Sequence, residues 1–431
     1  MIYHSTRNEQ LTASSTHAVL QGIAPDGGLY ICDPAALRFD WRAALEKDTL
    51  SMAADILHAL LPDFQDMDRL VRDSYAGKFP TSDLTPLTPV ADKYVLELYH
   101  GPTSAFKDVA LSVLPRLIVA AAKAEGMKGD VVILTATSGD TGKAAMEGFH
   151  DVPDTRITVF YPYGGVSAVQ QAQMATQEGA NVRVCAVRGN FDDAQTGVKE
   201  IFAACKGKDL HGAMLSSANS INIGRLAPQV VYYFRAYGDL VKSGRIRLGD
   251  VVDYTVPTGN FGDILAGYFA RQMGLPVGRL ICASNANDVL TEFLTTGRYD
   301  KRRPFYKTTS PSMDILVSSN LERLLYLVSQ DASCVERLMR ELNPGLVSGQ
   351  RLDAGAAPCR LRLRLLRRCR RGGGHRPGVA RAQIPLRPPH RRGLGRGGEA
   401  HPRGRSHGGP VHRLALQVPR RRAARPGRGI R

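Results

Sequence analysis

The segment HGPTSAFKDVAL at residues 100–111 contains a lysine in a setting that suits covalent chemistry. Lys107 follows a Gly-Pro turn and the apolar residues Ala105 and Phe106, and a helical pattern begins directly after it. A lysine that forms a Schiff base must lose its proton, and desolvation beside apolar groups favours the neutral amine. The alternative is a surface lysine that pairs with the neighbouring Asp108. This segment alone leaves both interpretations open.

Two glycine-containing turns stand where a predicted strand passes into a predicted helix. Backbone N–H groups at a helix start bind anions, and the helix dipole adds a favourable partial charge. TSGDTG (137–142) fits a carboxylate, and a capped helix start is the alternative. PTGNFGD (257–263) allows close approach of a phosphate, although it matches neither a Walker loop nor a GxGxxG fingerprint. In the first turn, the hydroxyls of Thr137, Ser138 and Thr141 would bind the anion together with the backbone N–H groups. In the second turn, Gly259 and Gly262 let the backbone approach a phosphate closely.

A third polar segment, SSANSINIGRLAPQVVYYF (216–234), places small polar side chains before one arginine and an amphipathic helix. Arg225 suits a phosphate or carboxylate, because its guanidinium donates two parallel hydrogen bonds. The alternative for Arg225 is a surface position at a helix start. Together, one activatable lysine, one carboxylate-sized turn and one phosphate turn favour a pyridoxal-phosphate (PLP) enzyme that acts on an amino acid.

The elements that must position these residues alternate between strand and helix. Apolar runs predict strands at 131–137, 156–162, 181–187, 253–257 and 279–285, each followed by a helical pattern, and a further helix is predicted at 39–61. Such alternation indicates βαβ units, mostly parallel sheets and helices on both faces, and it places ligands where strand ends meet helix starts. The fold class is therefore predicted to be α/β.

At these segments the chain resembles threonine synthase, in the branch found in many bacteria and fungi. The strings that carry the resemblance extend from residue 1 to about 352 and include YHSTRN, GPTSAFKD, SGDTG, SSANSINIGR, GNFGD and SPSMDILVSSNLERLL. The resemblance implies the PLP-dependent fold type II, like the tryptophan synthase β subunit. It also implies an N-terminal domain at 1–90 and a PLP-binding catalytic core of two subdomains at 91–352.

The resemblance also implies residue roles. Lys107 would hold PLP covalently and then act as acid and base. The cofactor phosphate would be bound by Gly259, Asn260, Phe261 and Gly262. The substrate carboxylate would be received by Thr137, Ser138, Gly139, Asp140 and Thr141. Ser216, Asn219 and Arg225 would lie toward the substrate phosphate. The implied reaction converts O-phospho-L-homoserine and water to L-threonine and phosphate, the last step of threonine biosynthesis. A relative that only eliminates phosphate and releases 2-oxobutyrate would need the same strings, so product identity separates the two.

The net charge of +17 is confined to one end of the chain. Residues 360–431 contain 22 Arg, no Lys and one acidic residue, so they carry +21 and the rest of the chain carries −4. The composition of residues 353–431 predicts a disordered basic tail. A nucleic-acid-binding tail is the alternative from another class of protein, but the segment lacks lysines and aromatic residues for stacking.

A frameshift explains this tail better than a basic function does. Threonine synthases end with strings close to DPHTAV and SPYKF, and neither is present here. RPPHRR (387–392) and HRLALQVPRR (412–421) can both be encoded so that one alternative frame gives DPHTAV and STGSPYKFPA. In the family this end supplies a hydroxyl beside the PLP ring nitrogen and completes the core. We therefore predict weak folding and little turnover for the chain as written.

The remaining expectations concern location and partners. The polar start of the chain and the absence of a run of ~18–20 apolar residues predict a cytoplasmic protein without a membrane partner. The seven cysteines lack CxxC spacing, so no metal site is predicted. The predicted ligand is a small molecule, and no nucleic-acid partner is expected.

Overall fold

Three larger features organise the part of the chain that the structure describes. The computed structural model describes residues 2–342, apart from 138, 190 and 206, together with strands at 346–348, 380–383 and 412–417. A small antiparallel sheet near the start of the chain precedes a four-stranded parallel sheet and a six-stranded mixed sheet. One hydrophobic core extends from Tyr3 to Leu338 and joins the elements around all of them.

The first 80 residues form a three-stranded sheet with four helices. The strands are β1 (Tyr3–Ser5), β2 (Thr12–Ala13) and β3 (Tyr30–Ile31), and the helices are α1 (Ser15–Gln21), α2 (Trp41–Glu46), α3 (Thr49–Leu60) and α4 (Met67–Tyr75). The helix predicted at 39–61 is in fact two helices. Asp48 accepts hydrogen bonds from the N–H groups of Leu50 and Ser51, each at 3.0 Å, so it caps α3 and ends the helical run before it.

The four-stranded sheet is parallel throughout, as the alternation of strand and helix predicts. Its order is β8-β7-β6-β9, and β6 pairs with β7 in the register Ile133 to Ile157. The strands are β6 (Val131–Ala136), β7 (Thr155–Pro162), β8 (Val182–Val187) and β9 (Met214–Ser216), and the associated helices are α6 (Asp140–Phe149), α7 (Ala168–Ala175) and α8 (Phe191–Cys205). The turn TSGDTG therefore lies between the carboxyl end of β6 and the start of α6.

The six-stranded sheet has the order β14-β11-β10-β15-β5-β4. The strands are β4 (Leu87–Val90), β5 (Lys93–Glu97), β10 (Val252–Pro257), β11 (Val277–Ser284), β14 (Ala380–Gln383) and β15 (His412–Gln417). β10 is parallel to β11 and β15, and β15 is parallel to β5, whereas β4 and β14 are antiparallel edge strands. The turn GNFG follows the carboxyl end of β10.

Two strands of this sheet come from the tail that composition predicts to be disordered. β15 lies between β10 and β5, so the ten residues of β14 and β15 are exceptions to that prediction. The physical reason is that β10 and β5 both present backbone groups that need a strand between them. The other residues of the predicted tail at 353–431 lie outside the described residues, and the domain limits at 90 and 352 stay predictions.

A group of helices fills the space around the two larger sheets. These helices are α5 (Asp108–Ala124), α9 (Ile223–Leu226), α10 (Val230–Lys242), α11 (Gly262–Gln272) and α12 (Val289–Thr296). Two further helices, α13 (Leu321–Ser329) and α14 (Ala332–Leu342), lie near the N-terminal sheet. The short strand pair β12 (Arg298–Asp300) and β13 (Leu346–Ser348) lies beside α12. Pro115 lies inside α5 and frees the carbonyl of Leu111. Gly148 packs there, because a Cβ at Gly148 would lie 2.1 Å from that oxygen.

Glu322 at the start of α13 ties the N-terminal sheet to the rest of the structure. Its carboxylate accepts a hydrogen bond from Thr6 Oγ1 at 2.6 Å and two from the guanidinium of Arg7 at 2.8 and 2.9 Å. The charge pair of Arg7 and Glu322 therefore connects the YHSTRN string to α13. Within the described residues, no helix is long and apolar enough to cross a membrane. The same residues contain no group of three or more His, Cys, Asp and Glu that could hold a metal ion.

Candidate active site

The turn before α5 is built around the carboxylate of Asp108. It accepts hydrogen bonds from the N–H and Oγ1 of Thr103, at 2.9 and 2.5 Å, and from the N–H of Ala105 at 3.2 Å. A Cβ on Gly101 would lie 2.4 Å from Asp108 Cβ, so only glycine fits beside it. Asp108 is thus a partner of the turn, and Lys107 does not form a surface pair with it.

Lys107 is buried at the start of α5 and points toward the turn after β6. Its Nζ donates to Asp140 Oδ1 at 2.9 Å and to Thr141 Oγ1 at 2.8 Å, and it lies 5.4 Å from the centre of the Phe106 ring. Burial lowers the pKa of the Lys107 amine, although the charge of Asp140 opposes this effect. The amine is therefore closer to its neutral, nucleophilic form than a surface lysine is.

The 137–142 turn is held together by its own hydroxyl and glycines. Thr137 Oγ1 accepts hydrogen bonds from the N–H groups of Gly139 and Gly142 at 3.0 and 2.9 Å. Gly139 has φ of 140°, and a Cβ there would lie 2.4 Å from the side chain of Gln170. Thr137 consequently shapes the turn, while Asp140 and Thr141 face Lys107, and Ser138 lies outside the described residues.

The 259–262 turn is held from outside. Phe261 is buried in the left-handed conformation, with φ of 65°, and α11 begins at the next residue. The carbonyl oxygen of Gly259 accepts from Ser318 Oγ at 2.8 Å, and that of Asn260 accepts from Asn320 N and Nδ2, both at 3.1 Å. These contacts hold the carbonyl groups of the turn, and the start of a helix such as α11 is where anions commonly bind.

Arg225 in α9 is a buried cation whose charge acts on Lys107. Its Nη1 donates to the carbonyl oxygen of Ala218 at 2.5 Å, but Nε has no hydrogen-bond partner among the residues that the structure describes. Burial lowers the pKa of its guanidinium to about 10, and Asp140 is one of the charges that act on it. A buried guanidinium with a free donor is suited to an anionic ligand.

The two weaker candidates of this segment have different surroundings. Ser216 is fully buried in β9, and its Oγ donates to the carbonyl oxygen of Leu20 at 2.6 Å, which anchors β9 to α1. Asn219 is partly exposed in the loop before α9, and its carbonyl oxygen accepts from Asn222 N at 3.1 Å. The structure therefore gives Ser216 a structural contact, and any ligand contact of either residue stays a prediction.

Three further polar residues border the site without having been singled out from the sequence. Ser312 donates to Asp140 Oδ2, Asn320 donates to the carbonyl oxygen of Ser220 at 2.9 Å, and the Oε1 of Gln229 is buried without a partner among the described residues. The nearest atoms to a Cβ on Gly262 would be Gln229 Nε2 and Asn320 Nδ2, at 3.4 and 3.7 Å. Ser312 and Asn320 belong to the SPSMDILVSSN string, which gave a signal only through the resemblance.

Family models match both parts of the described chain. Residues 81–335 match the model described as pyridoxal-phosphate dependent enzyme, and residues 2–84 match the model described as threonine synthase N terminus. The fold and the buried lysine thus define the class, a PLP-dependent enzyme. A threonine synthase of Pseudomonas aeruginosa is 42% identical over 333 residues, which cover 76% of this chain and 68% of that protein. The chain belongs to the threonine synthase family.

Solved structures support the same assignment. The PLP-bound threonine synthase from Brucella melitensis aligns with a TM-score of 0.73 and 40% identity, over 84% of this chain and 76% of that chain. The predicted resemblance and fold type are therefore confirmed. Threonine synthase-like 1 of Homo sapiens is 39% identical over 347 residues, and the chain spans 46% of the length of that protein.

Proposed function

We propose that the site around Lys107 is the active site of a threonine synthase, which converts O-phospho-L-homoserine and water to L-threonine and phosphate. The observation that carries the proposal is the burial of Lys107 Nζ between Asp140 and Thr141, with the pKa of the amine lowered by burial. A surface lysine would not combine these features. The family membership and the Brucella melitensis structure, which is described as PLP-bound, support this choice of cofactor.

The residues at the site fit PLP on three counts. Lys107 offers an amine that can bind the cofactor aldehyde. The N–H groups at the start of α11 lie beside Gly259, Asn260, Phe261 and Gly262, and they would bind the cofactor phosphate. A Cβ on Gly259 would lie 2.3 Å from the carbonyl oxygen of Ser312, so the turn has room only for glycine there. When bound, PLP supplies an electron sink for the substrate carbons next to the amine.

The protein groups carry the proton transfers of the reaction. When the substrate amine replaces Lys107 on the cofactor, the released Nζ is free to remove the proton from Cα and then to move protons at Cβ and Cγ. Loss of the Cβ proton expels the γ-phosphate, and water then attacks Cβ. A base released only when substrate binds suits several transfers within one buried site.

We assign the anionic ends of the substrate to two parts of the site. Arg225 would bind the phosphate as charge develops on it, because its buried guanidinium has a free donor at Nε. Asn219 and Ser216 are proposed to lie toward the same end. The turn from Thr137 to Thr141 would receive the substrate carboxylate. The proposed cytoplasmic location and the lack of nucleic-acid and membrane partners rest on the sequence alone.

The C-terminal segment limits the catalytic activity that we expect of this site. β15 occupies the sheet position between β10 and β5, but its residues HRLALQ replace the family's SPYKF region. We propose that the chain as written binds PLP weakly and turns over little, because the hydroxyl that the family places beside the PLP ring nitrogen is missing. A gene in which the alternative frame is restored is expected to recover activity.

The test compares three proteins after resequencing of codons 345–431. The chain as written, the frame-restored chain and the frame-restored Lys107→Ala variant are each incubated with PLP and O-phosphohomoserine. We expect threonine and phosphate in equal amounts from the frame-restored chain. The rate is expected to be lower by roughly 100-fold or more in the chain as written and by at least about 1000-fold in the Lys107→Ala variant. Release of 2-oxobutyrate in place of threonine would replace this proposal with a phospho-lyase. Full activity of the chain as written would refute the role assigned to the missing region.

A further inference from the structure

The segment from Thr308 to Asp314 touches both glycine turns through one residue, Ser312. The Oγ of Ser312 donates to Oδ2 of Asp140, a residue of the 137–142 turn. The carbonyl oxygen of Ser312 occupies the space that a Cβ on Gly259 would need, 2.3 Å away. Ser312 therefore links the turn that faces Lys107 to the turn at the start of α11.

This segment is fixed by a carboxylate of its own. Asp314 accepts hydrogen bonds from the N–H and Oγ1 of Thr308 at 2.8 and 2.7 Å. It also accepts from Asn285 Nδ2 at 2.7 Å and from Asn287 Nδ2 at 3.1 Å, and both asparagines follow the carboxyl end of β11. The segment that carries Ser312 is thus held in place by residues at the end of the six-stranded sheet.

The acceptors of Asp140 are directed toward protein groups. Oδ1 accepts from Lys107 Nζ at 2.9 Å and from the N–H of Thr141 at 2.8 Å, while Oδ2 accepts from Ser312. The positive charge of Lys107 and these hydrogen bonds lower the pKa of Asp140 against the effect of burial. A carboxylate that is ionised in this position repels a substrate carboxylate.

We propose that Ser312 is a positioning residue of the active site, which holds Asp140 against Lys107 Nζ, so that Asp140 serves the lysine and not the substrate carboxylate. The proposal rests on the proposed function only in taking Lys107 as the cofactor lysine. It changes the role predicted for Asp140 and gives a role to the SPSMD string. Substrate-carboxylate binding is then left to the other residues of the 137–141 turn.

The test measures the titration of Lys107 directly, without cofactor or turnover. The full chain is treated with acetic anhydride over a range of pH, and the acetylation rate of the Lys107 peptide is followed by mass spectrometry. The charged groups that act on Lys107 are Asp140, Arg225 and Asp108, so each comparison leaves two of them unchanged. Asp140→Asn removes the charge that stabilises the ammonium form, and we expect the midpoint of Lys107 to fall.

Ser312→Ala tests whether Ser312 acts through Asp140. This substitution is expected to lower the Lys107 midpoint by about one pH unit, the size typical of a charge that loses one hydrogen-bond partner. In the Asp140→Asn background, the same substitution is expected to have no effect. Ser312→Thr keeps the hydroxyl and should retain the wild-type midpoint. Ser310→Ala, in the same segment and 3.4 Å from Thr308 Oγ1, is the matched control and should not shift it.

The outcomes separate this proposal from the proposed function. An unchanged midpoint in Ser312→Ala, equal shifts in both backgrounds, or an unchanged midpoint in Asp140→Asn would overturn the positioning role. PLP binding by the same proteins is measured separately by absorbance. A frame-restored chain that shows the Ser312 effect and yet never binds PLP would overturn the proposed function and leave the contact between Ser312 and Asp140 established.

Discussion

Each of the two glycine turns carries an acid, and the pKa values of these two acids are shifted in opposite directions. Asp140 begins α6 after the first turn, and the charge of Lys107 with its hydrogen bonds lowers the pKa of this carboxyl. Asp263 lies in the first turn of α11 after the second, and burial raises its pKa to about 7. An ionised acid stabilises a nearby ammonium, whereas a neutral acid avoids repulsion of a phosphate. This contrast agrees with the proposals that Asp140 serves the lysine and that the second turn binds the cofactor phosphate.

Removal of the lysine is the largest expected break in this comparison. Lys107→Ala leaves Asp140 without its cationic partner and removes the only amine proposed for covalent binding. We expect threonine formation by the frame-restored enzyme to fall by at least about 1000-fold. Lys143→Ala is a suitable control, because Lys143 also lies in the first turns of α6 but contacts Gln177 and Glu147. A Lys107→Ala enzyme within tenfold of wild type would contradict the assignment.

Removal of the Arg225 charge is expected to have the next largest effect. Arg225→Gln takes away the free donor at Nε, so the phosphate end of the substrate loses a charge-assisted contact. We expect kcat/KM for O-phosphohomoserine to fall roughly 10- to 100-fold, while PLP binding is retained. The exposed Arg247→Gln variant controls for the change in net charge. Loss of PLP binding with an unchanged KM would instead place Arg225 at the cofactor.

A methyl group at Gly259 tests whether the second turn contributes to PLP binding. Gly259→Ala places a Cβ about where the carbonyl oxygen of Ser312 lies, at 2.3 Å, so the turn must move. We expect the PLP dissociation constant to rise roughly tenfold or more, as overpacking of a close contact implies. Gly197→Ala is the matched control, since nothing lies within 4 Å of a Cβ on that helical residue. Unchanged PLP affinity in Gly259→Ala would remove this turn from the cofactor site.

The smallest expected effect concerns pH and sharpens the contrast between the two acids. The folded-state pKa of Asp263, about 7, lies above its ordinary value of 3.8. The stability that this group contributes is therefore complete below pH ~4, declines as pH rises toward 7, and is lost above that. Relative to wild type, Asp263→Asn should gain stability as the pH rises from about 4.5 to about 7.5. Urea unfolding at these two pH values, about 3 pH units apart, measures the gain. The exposed Asp73→Asn should not, and an equal pH dependence in both variants would contradict the raised pKa.

The sequence predicts the groups that lie close together along the chain. Lys107, the 137–142 turn and the GNFG turn are short strings at strand-to-helix junctions, so their positions follow from local pattern. The contacts of Asp140 with Lys107 and Ser312 are missed by such reasoning, because they span 33 and 172 residues. The anchoring of Ser216 to Leu20 is missed for the same reason.

The C-terminal strands show a different limit of prediction. Composition alone predicts that an Arg-, Gly- and Pro-rich segment is disordered. β15 nevertheless pairs with β10 and β5, because the sheet order leaves a position for one parallel strand between them. That demand comes from backbone hydrogen bonds of distant strands and is independent of side-chain composition. The sequence of the tail could not reveal it.

The central claim is that Lys107 is the lysine that binds PLP. The most direct measurement incubates the frame-restored chain with PLP, reduces it with borohydride, and locates the pyridoxyl group by peptide mass spectrometry. Lys78 is the natural rival, because burial also lowers the pKa of its amine. The account predicts the modification on Lys107 and its loss in Lys107→Ala. Modification of Lys78 or another lysine, with Lys107 unmodified, would contradict it.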